Sequence, residues 1–463
     1  MMIPGVAAIS LLSFLVVLSG PLSADDSGFL RAVRTTRAAA PAGAYRDGQV
    51  IVAFRAAADE RDMERALRSG GARGARRSHS RSAARFLVTL EPGASVLEAV
   101  DRYSRMPEVE YAEPNGLMRR SQGTTFQPND TLYRFQWNLT QVGAERTWGI
   151  QKGKPSVAVA VLDSGVAFED YIDPRTGEAF RKAPDWGDAT FLPGYDFVNG
   201  DTHPNDDEYH GTHVASTIAE ATNNATGAAG LAFGCAIMPV KVLDDRGEGT
   251  FFDVAEGIDY AIEHTEGGEK PVKVINLSLG SEGTSQTVRS AIERAWAAGV
   301  LTVAAAGNSG KGVVEFPANL TNVLAVGALD ARKERASYSN TGADLDFVAP
   351  GGDCDRDDNA DGYGDCIFQQ MPDDRYLEIG RHDVFCYCGL DGTSMATPHV
   401  AAAAALLFSQ GFTDPAAVRA ALEQTAERLG GAPEGGRDDT YGHGLVLPAA
   451  ALPGLGLNVG SKK

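Results

Sequence analysis

Long apolar stretches are almost absent from this chain. Near its start stands an apolar stretch of about ten residues, Ile9 to Leu18, followed by Ser-Gly-Pro-Leu-Ser-Ala. A bilayer core needs about 20 consecutive apolar residues, so this run is too short to span a membrane, and its length matches the core of an export signal. A signal peptide over residues 1–24 is predicted, although Lys and Arg are missing before the run and Leu22 stands where a small residue is usual. Elsewhere no comparable run occurs, so no stable membrane association is expected. Positive charge is also short, with a net charge of −19. Residues 25–120 hold 17 basic against 13 acidic side chains, and residues 121–463 hold 25 against 48. Opposite signs on two segments of one chain suggest complementary faces. The Arg-dense stretch Arg73 to Arg85 lacks interleaved aromatics. This argues against nucleic-acid binding and predicts a mobile Gly/Ser/Arg loop.

What is present is concentrated at the ends of regular elements. Gly392-Thr-Ser-Met-Ala-Thr-Pro-His399 places Ser394 after a glycine turn and before the alanine-rich helical run His399 to Ser409. A serine at a helix N-terminus has an exposed hydroxyl, and its N–H lies at the positive end of the helix dipole. Both suit a nucleophile beside a developing oxyanion. Taken alone, the serine could be an ordinary N-cap. The apolar run Val157-Ala-Val-Ala-Val-Leu162 reads as a buried parallel strand closed by Asp163-Ser-Gly. His210-Gly-Thr-His213-Val-Ala starts a helix, and Leu301-Thr-Val-Ala-Ala-Ala306 ends in Gly307-Asn308, whose amide can donate to negative charge. His210 and His213 lack the following glutamate of a zinc-protease helix, so His213 is expected to be a packed structural residue.

In chain order Asp163, His210, Asn308 and Ser394, with their flanking motifs, resemble the subtilisin-like serine proteases from about Trp137 to Val446. The resemblance implies that Ser394 attacks the scissile carbonyl, His210 takes its proton, Asp163 orients the histidine, and Asn308 with the Ser394 N–H forms the oxyanion hole. It also implies a groove wall of Ser278, Leu279 and Gly280, with Phe251 at a more distal pocket. The register from Pro317 puts Glu315 at the floor of the primary pocket, where broad-specificity relatives carry a small residue. A carboxylate there favours Lys or Arg before the cut bond, unless it is a plain loop glutamate. Ser216 stands where the family pattern usually has glycine.

The strands 157–162, 237–243, 272–277 and 301–306 alternate with helical patterns over 252–264 and 284–298. The expected fold is therefore α/β: a subtilisin-like three-layer arrangement, a mostly parallel sheet with helices on both faces. Before it, strand, helix, strand, helix and strand patterns at 48–54, 59–68, 85–90, 95–104 and 109–112 predict a small α+β ferredoxin-like domain. By the same resemblance it is a propeptide that assists folding and then acts as an intramolecular inhibitor. The expected organisation is a signal peptide 1–24, linker 25–46, propeptide 47–115, linker 116–136, and catalytic domain 137–463 with a Cys/Asp-rich insert 352–390. The second linker carries Arg119-Arg120 and the maturation site. Export, a monomeric state, and protein or peptide substrates are expected.

Four of the five cysteines, Cys354, Cys366, Cys386 and Cys388, lie in that insert. An even local cluster in an exported chain reads as two disulfides with three possible pairings. Cys386 and Cys388, one residue apart, are not expected to pair with each other. A zinc site with His382 is the poorer alternative, and Cys235 is expected to be a buried apolar residue. The insert also carries Asp357-x-Asn359-x-Asp361-Gly362, the opening of a calcium loop, continued by the Tyr363 carbonyl and Asp365 but ending in Phe368 rather than glutamate. A second calcium site is implied by resemblance at Thr222, Asn224, Thr226 and Ala228, its carboxylate coming from Asp170 or Asp173. Calcium is the expected structural ion. A catalytically silent binding protein and a metallo-hydrolase are the rival classes.

Overall fold

The computed structural model describes residues 45–78, 84–116, 125–377, 379–430 and 436–452. The expected signal peptide, nearly all of the linker after it and the Arg119-Arg120 pair lie outside them. The chain divides into two compact units, Met1–Ser121 and Gln122–Lys463.

The first unit runs β1 (Tyr45–Phe54), α1 (Glu60–Ser69), β2 (Ala72–Arg77), β3 (Arg85–Leu90), α2 (Val96–Ser104) and β4 (Val109–Gly116). Its sheet is antiparallel in the order β2-β3-β1-β4, a βαββαβ arrangement with one strand, β2, beyond the three expected. The helices start where short polar side chains satisfy free N–H groups: Asp59 accepts from Asp62 N, and Ser95 from Glu98 N. Val50, Val52, Ala66, Val88, Val100 and Tyr103 form its core, and the Tyr103 hydroxyl donates to the Leu67 carbonyl at 3.0 Å. The expected loop at Arg73 to Arg85 is corrected here, because its first part is strand β2. An edge strand needs only backbone pairing on one side. Its arginines therefore stand largely in solvent, with Arg77 over the Phe86 ring.

The second unit is built on a seven-stranded sheet: β5 (Ala158–Asp163), β6 (Tyr195–Asp196), β7 (Ala236–Lys241), β8 (Val272–Leu277), β9 (Leu301–Ala305), β10 (Val323–Leu329) and β11 (Phe347–Pro350). Every pairing is parallel, in the order β11-β10-β9-β8-β5-β7-β6. These strands are buried along almost their whole length, which is why they read as continuous apolar runs. Helices α3 (His210–Ala219) and α6 (Thr393–Gln410) cover one face, and α4 (Phe251–Glu263) and α5 (Gln286–Ala297) the other. Chain order reverses at β5, whose neighbours are β7 and β8. In open α/β sheets the crevice beyond the carboxyl ends of strands at such a switch is where sites form.

The folded unit begins earlier than the expected residue 137. Phe126 packs on Trp148 and Phe233 with the Lys152 ammonium over its ring, and Tyr133 and Gln136 are buried. The second half of the expected linker is therefore part of this unit. In the insert, β12 (Ile367–Pro372) and β13 (Phe385–Leu390) form an antiparallel hairpin against α3. The disulfides are Cys354–Cys366 and Cys386–Cys388. This corrects the expectation that the latter two would not pair. Two residues apart on one strand, they share a face, and their Cα atoms are 5.4 Å apart, inside the usual disulfide range. Cys235 is free and buried, as expected.

Candidate active site

The four predicted residues fall in two pairs on either side of a shared wall: His210, bonded to Asp163, lines a groove with Leu279 and Gly280, and Asn308 and Ser394 line a cavity with the same two residues. Asp163 ends β5 fully buried, and its Oδ1 accepts from Ser164 N and from His210 Nδ1 at 2.8 and 2.7 Å. His210 opens α3, which approaches β5 so closely that a Cβ on Gly211 would fall 2.1 Å from the Gly165 carbonyl. Only glycine fits that crossing. Burial lowers the His210 pKa, but the charge and hydrogen bond of Asp163, with Glu208 and Asp206, outweigh it and raise the ring to about 9.

Ser394 is the second residue of α6, a helix buried nearly all round. Pro398 has no N–H, which frees the Ser394 carbonyl from helix bonding. The Ser278 hydroxyl, just beyond β8, donates to that carbonyl at 2.9 Å, while Ser394 Oγ donates to the Ser278 carbonyl at 3.1 Å. Ser278 is thus a reciprocal anchor of Ser394 as well as a groove residue. Asn308 Oδ1 accepts from both Thr393 N and Thr393 Oγ1 at 2.8 Å. That pair of bonds fixes the amide with its Nδ2 free to donate toward the crevice. Thr393 escaped the sequence reading, since nothing in a threonine's spacing announces an acceptor 85 residues away.

A cavity of about 300 Å³ beside Ser394 and Asn308 is lined by Leu279, Gly280 and Gly307, with Glu315 among its walls. Glu315 Oε1 accepts from Asn340 Nδ2 at 3.2 Å, and Cβ atoms on Gly280 or Gly307 would meet the Glu315 carboxylate at 3.0 and 2.5 Å. A groove of about 800 Å³ holds Ser278, Leu279, Gly280, Phe251 and His210. Phe251 meets Phe316 edge-on.

Behind Asp163 lies a polar network that sequence spacing did not reveal. Asp206 accepts from Ser164 Oγ and Thr212 N at 2.9 Å. Fully buried Lys241 donates to Asp207 Oδ1, the Ser164 carbonyl and the Leu243 carbonyl at 2.6–2.7 Å. His213 is buried and neutral, its Nε2 bonded to the Ile367 carbonyl and its pKa driven down by burial to about 3. Ser216 is turned to the insert hairpin.

At the loop of Thr222, Asn224, Thr226 and Ala228, the carboxylates are Asp185 and Asp130, not Asp170 or Asp173. Asp185 accepts from Asn224 Nδ2 at 2.7 Å and Ala228 N at 3.1 Å, and Asp130 from Asn223 N at 2.7 Å. Asp173 is instead paired with Arg175, and Asp170 accepts from Lys182 N. Glu220 is fully buried nearby, neither of its oxygens has a hydrogen-bond partner, and burial with Asp185 and Asp130 holds it well above the usual carboxylate range. Buried carboxylates without a basic partner fit a cation. In the insert, Asp357, Asn359 and Asp361 side chains accept from backbone N–H groups of the loop. Asp365 is buried, with Oδ1 unpartnered. Among the described residues the tightest carboxylate–histidine group is elsewhere, at Asp346, Glu423 and His443. Arg419 contacts both acids there, so ion pairing accounts for it.

A buried aspartate on a histidine, a serine at a helix start and an oriented asparagine beyond a parallel sheet define a serine-hydrolase class of site. The profile described as the subtilase family matches residues 154–444, and that of the fervidolysin N-terminal prodomain matches residues 31–115. A thermophilic serine proteinase of Bacillus sp. (strain AK1) is 38% identical over 390 residues, 84% of each chain. Thermitase of Thermoactinomyces vulgaris is 34% identical over 307 residues, 66% of this chain and 94% of that one. A solved protease from Pseudoalteromonas arctica PAMC 21717 superposes with a TM-score of 0.58 at 29% identity, covering 71% of this chain and 99% of that one. The chain belongs to the subtilase family of serine proteases and carries an N-terminal prodomain.

Proposed function

We propose that the protein is an exported endopeptidase in which Ser394 is the nucleophile, His210 the general base and Asp163 its orienting partner. The observation that carries this reading is the 2.7 Å His210–Asp163 bond on a fully buried carboxylate, beside the Leu279–Gly280 wall that also borders Ser394. Ser394 Oγ turns from the Ser278 carbonyl to His210 Nε2 and attacks the peptide carbon as its proton passes to the ring. The oxyanion is met by Asn308 Nδ2 and Ser394 N–H. His210 then protonates the leaving amine, and water repeats the sequence on the acyl-enzyme.

Glu315 gives the primary pocket a preference for Lys or Arg. Calcium is held at Asp185, Asp130, Asn224 and the loop carbonyls, and at the Asp357–Asp365 loop of the insert; it stabilises the fold and takes no part in the chemistry. The prodomain inhibits until it is cleaved in the segment after Asn115. A serine-directed fluorophosphonate tests the nucleophile: wild type should gain one adduct and Ser394→Ala none. Wild type left unlabelled under conditions where it is folded would refute it.

A further inference from the structure

The groove carries a second specificity element that the primary pocket does not account for. Ser394 and Asn308 mark the position of the cut carbonyl, and the side chain just before it enters the cavity at Glu315. In an extended chain successive side chains point to opposite sides. The second side chain before the cut therefore turns from the Glu315 cavity toward the His210 side of the groove. There stand Glu208 and Leu243, with Gly247 beyond them. This groove contains two carboxylates, Glu208 and Glu248, and no Lys or Arg.

Among the described residues Glu208 has no Lys or Arg partner, and the cation nearest to it in effect is the His210 ring. Asp207 is taken by Lys241, and Asp206 by Ser164, Thr212 and Tyr209. Glu208 Oε2 accepts the His210 N–H at 2.9 Å. The other oxygen lies near Gly247, 3.8 Å from where a Cβ on that glycine would stand, and Glu208 lines the groove. No ion pair to Glu208 occurs among the described residues. Burial, then Asp206, pushes its carboxyl up to about 7. A half-buried carboxylate in acidic company is stabilised by any cation brought to it.

We infer that Glu208 selects a Lys or Arg side chain at the second position before the cut bond. The inference rests on the proteolytic reading of Ser394. It makes Arg119-Arg120, which stands at the end of the first unit's sequence range, a matched pair for Glu208 and Glu315, with Ser121 as the new N-terminus.

The test uses full-length protein allowed to mature, and three peptide anilides alike except for Lys, Ala or Glu at the second position before the cut. The first position is held at Leu, so that Glu315 does not enter. The readout is the ratio of kcat/KM values, because Glu208 also holds the His210 backbone and absolute rates will move. Wild type should favour Lys over Ala by about fivefold or more. Glu208→Gln, which can still accept the His210 N–H, should bring that ratio to about one, and Glu208→Arg should favour Glu. A wild-type ratio near one, or a Lys preference that survives in Glu208→Gln, overturns the inference while leaving proteolysis standing. Failure to cut any of the three, with Ser394 unreactive to the fluorophosphonate, overturns both.

Discussion

Asn308 makes two separable contributions, and substitutions can divide them. In the proposed mechanism its Nδ2 is the side-chain donor to the oxyanion, and its Oδ1 accepts the Thr393 N–H and hydroxyl at 2.8 Å each. In this family removing such a donor costs roughly 2.7–4 kcal/mol of transition-state stabilisation, a loss of about 10²–10³ in kcat. Asn308→Ala removes both functions. Thr393 is fully buried, so its stranded donors should cost a further ~1–3 kcal/mol in stability. That should lower Tm by a few degrees. Asn308→Asp keeps the acceptor and replaces the donor, so kcat should fall as far while Tm falls less. KM should change little in either, because the interaction forms only with the oxyanion. The assay is steady-state kinetics on one peptide anilide, with melting measured in a Ser394→Ala background to prevent self-digestion. Folded Asn308→Ala with kcat close to wild type would refute the oxyanion role. A loss confined to KM would do the same.

Three further outcomes follow from the site. Glu315→Gly should cut the Arg-over-Leu ratio at the first position before the bond, and an unchanged ratio would remove Glu315 from the specificity pocket. Chelation, or Asp185→Asn, should lower Tm in a calcium-dependent manner, since an ion at 100 times its Kd stabilises the folded state by about 2.7 kcal/mol; equal melting with and without chelator would count against both calcium sites. His210 must be neutral to accept the Ser394 proton, so kcat/KM should rise with pH through about 9. Stability runs the other way: a raised histidine pKa stabilises fully below about 6.5 and that contribution is lost as pH rises through the folded value. In Asp163→Asn the residual activity should have its limb at lower pH, because burial alone lowers the ring, and a limb unmoved by that substitution would argue against the pairing.

The sheet and the strand ends that carry the candidate site were readable because burial leaves a direct trace in composition. β5, β7, β8 and β9 are enclosed on both faces and so are runs of small and branched apolar residues, and Asp163 and Asn308 follow where two such runs end. Contacts that join distant segments through polar atoms left no such trace. Asp130 and Asp185 meet the Asn224 loop from 94 and 39 residues away, and no local spacing announces them. Strand β2 was missed because an edge strand owes its place to backbone pairing with β3, which its arginines do not reveal. The Cys386–Cys388 link was missed because the spacing was judged without the strand that puts both sulfurs on one face. Phe126 and Tyr133 sit in a stretch whose composition is that of a linker, and only their partners Trp148 and Phe233 show that it is packed.

The central claim is that Ser394 cleaves peptide bonds, its own precursor's first among them. Intact-mass measurement of purified precursor, incubated with calcium beside Ser394→Ala, tests it most directly. Wild type should shorten by a cut in the segment after Asn115, at Arg120 if both carboxylates select as argued, while Ser394→Ala keeps its full mass. Two chains that both remain intact, or that both shorten at the same bond, would contradict the claim.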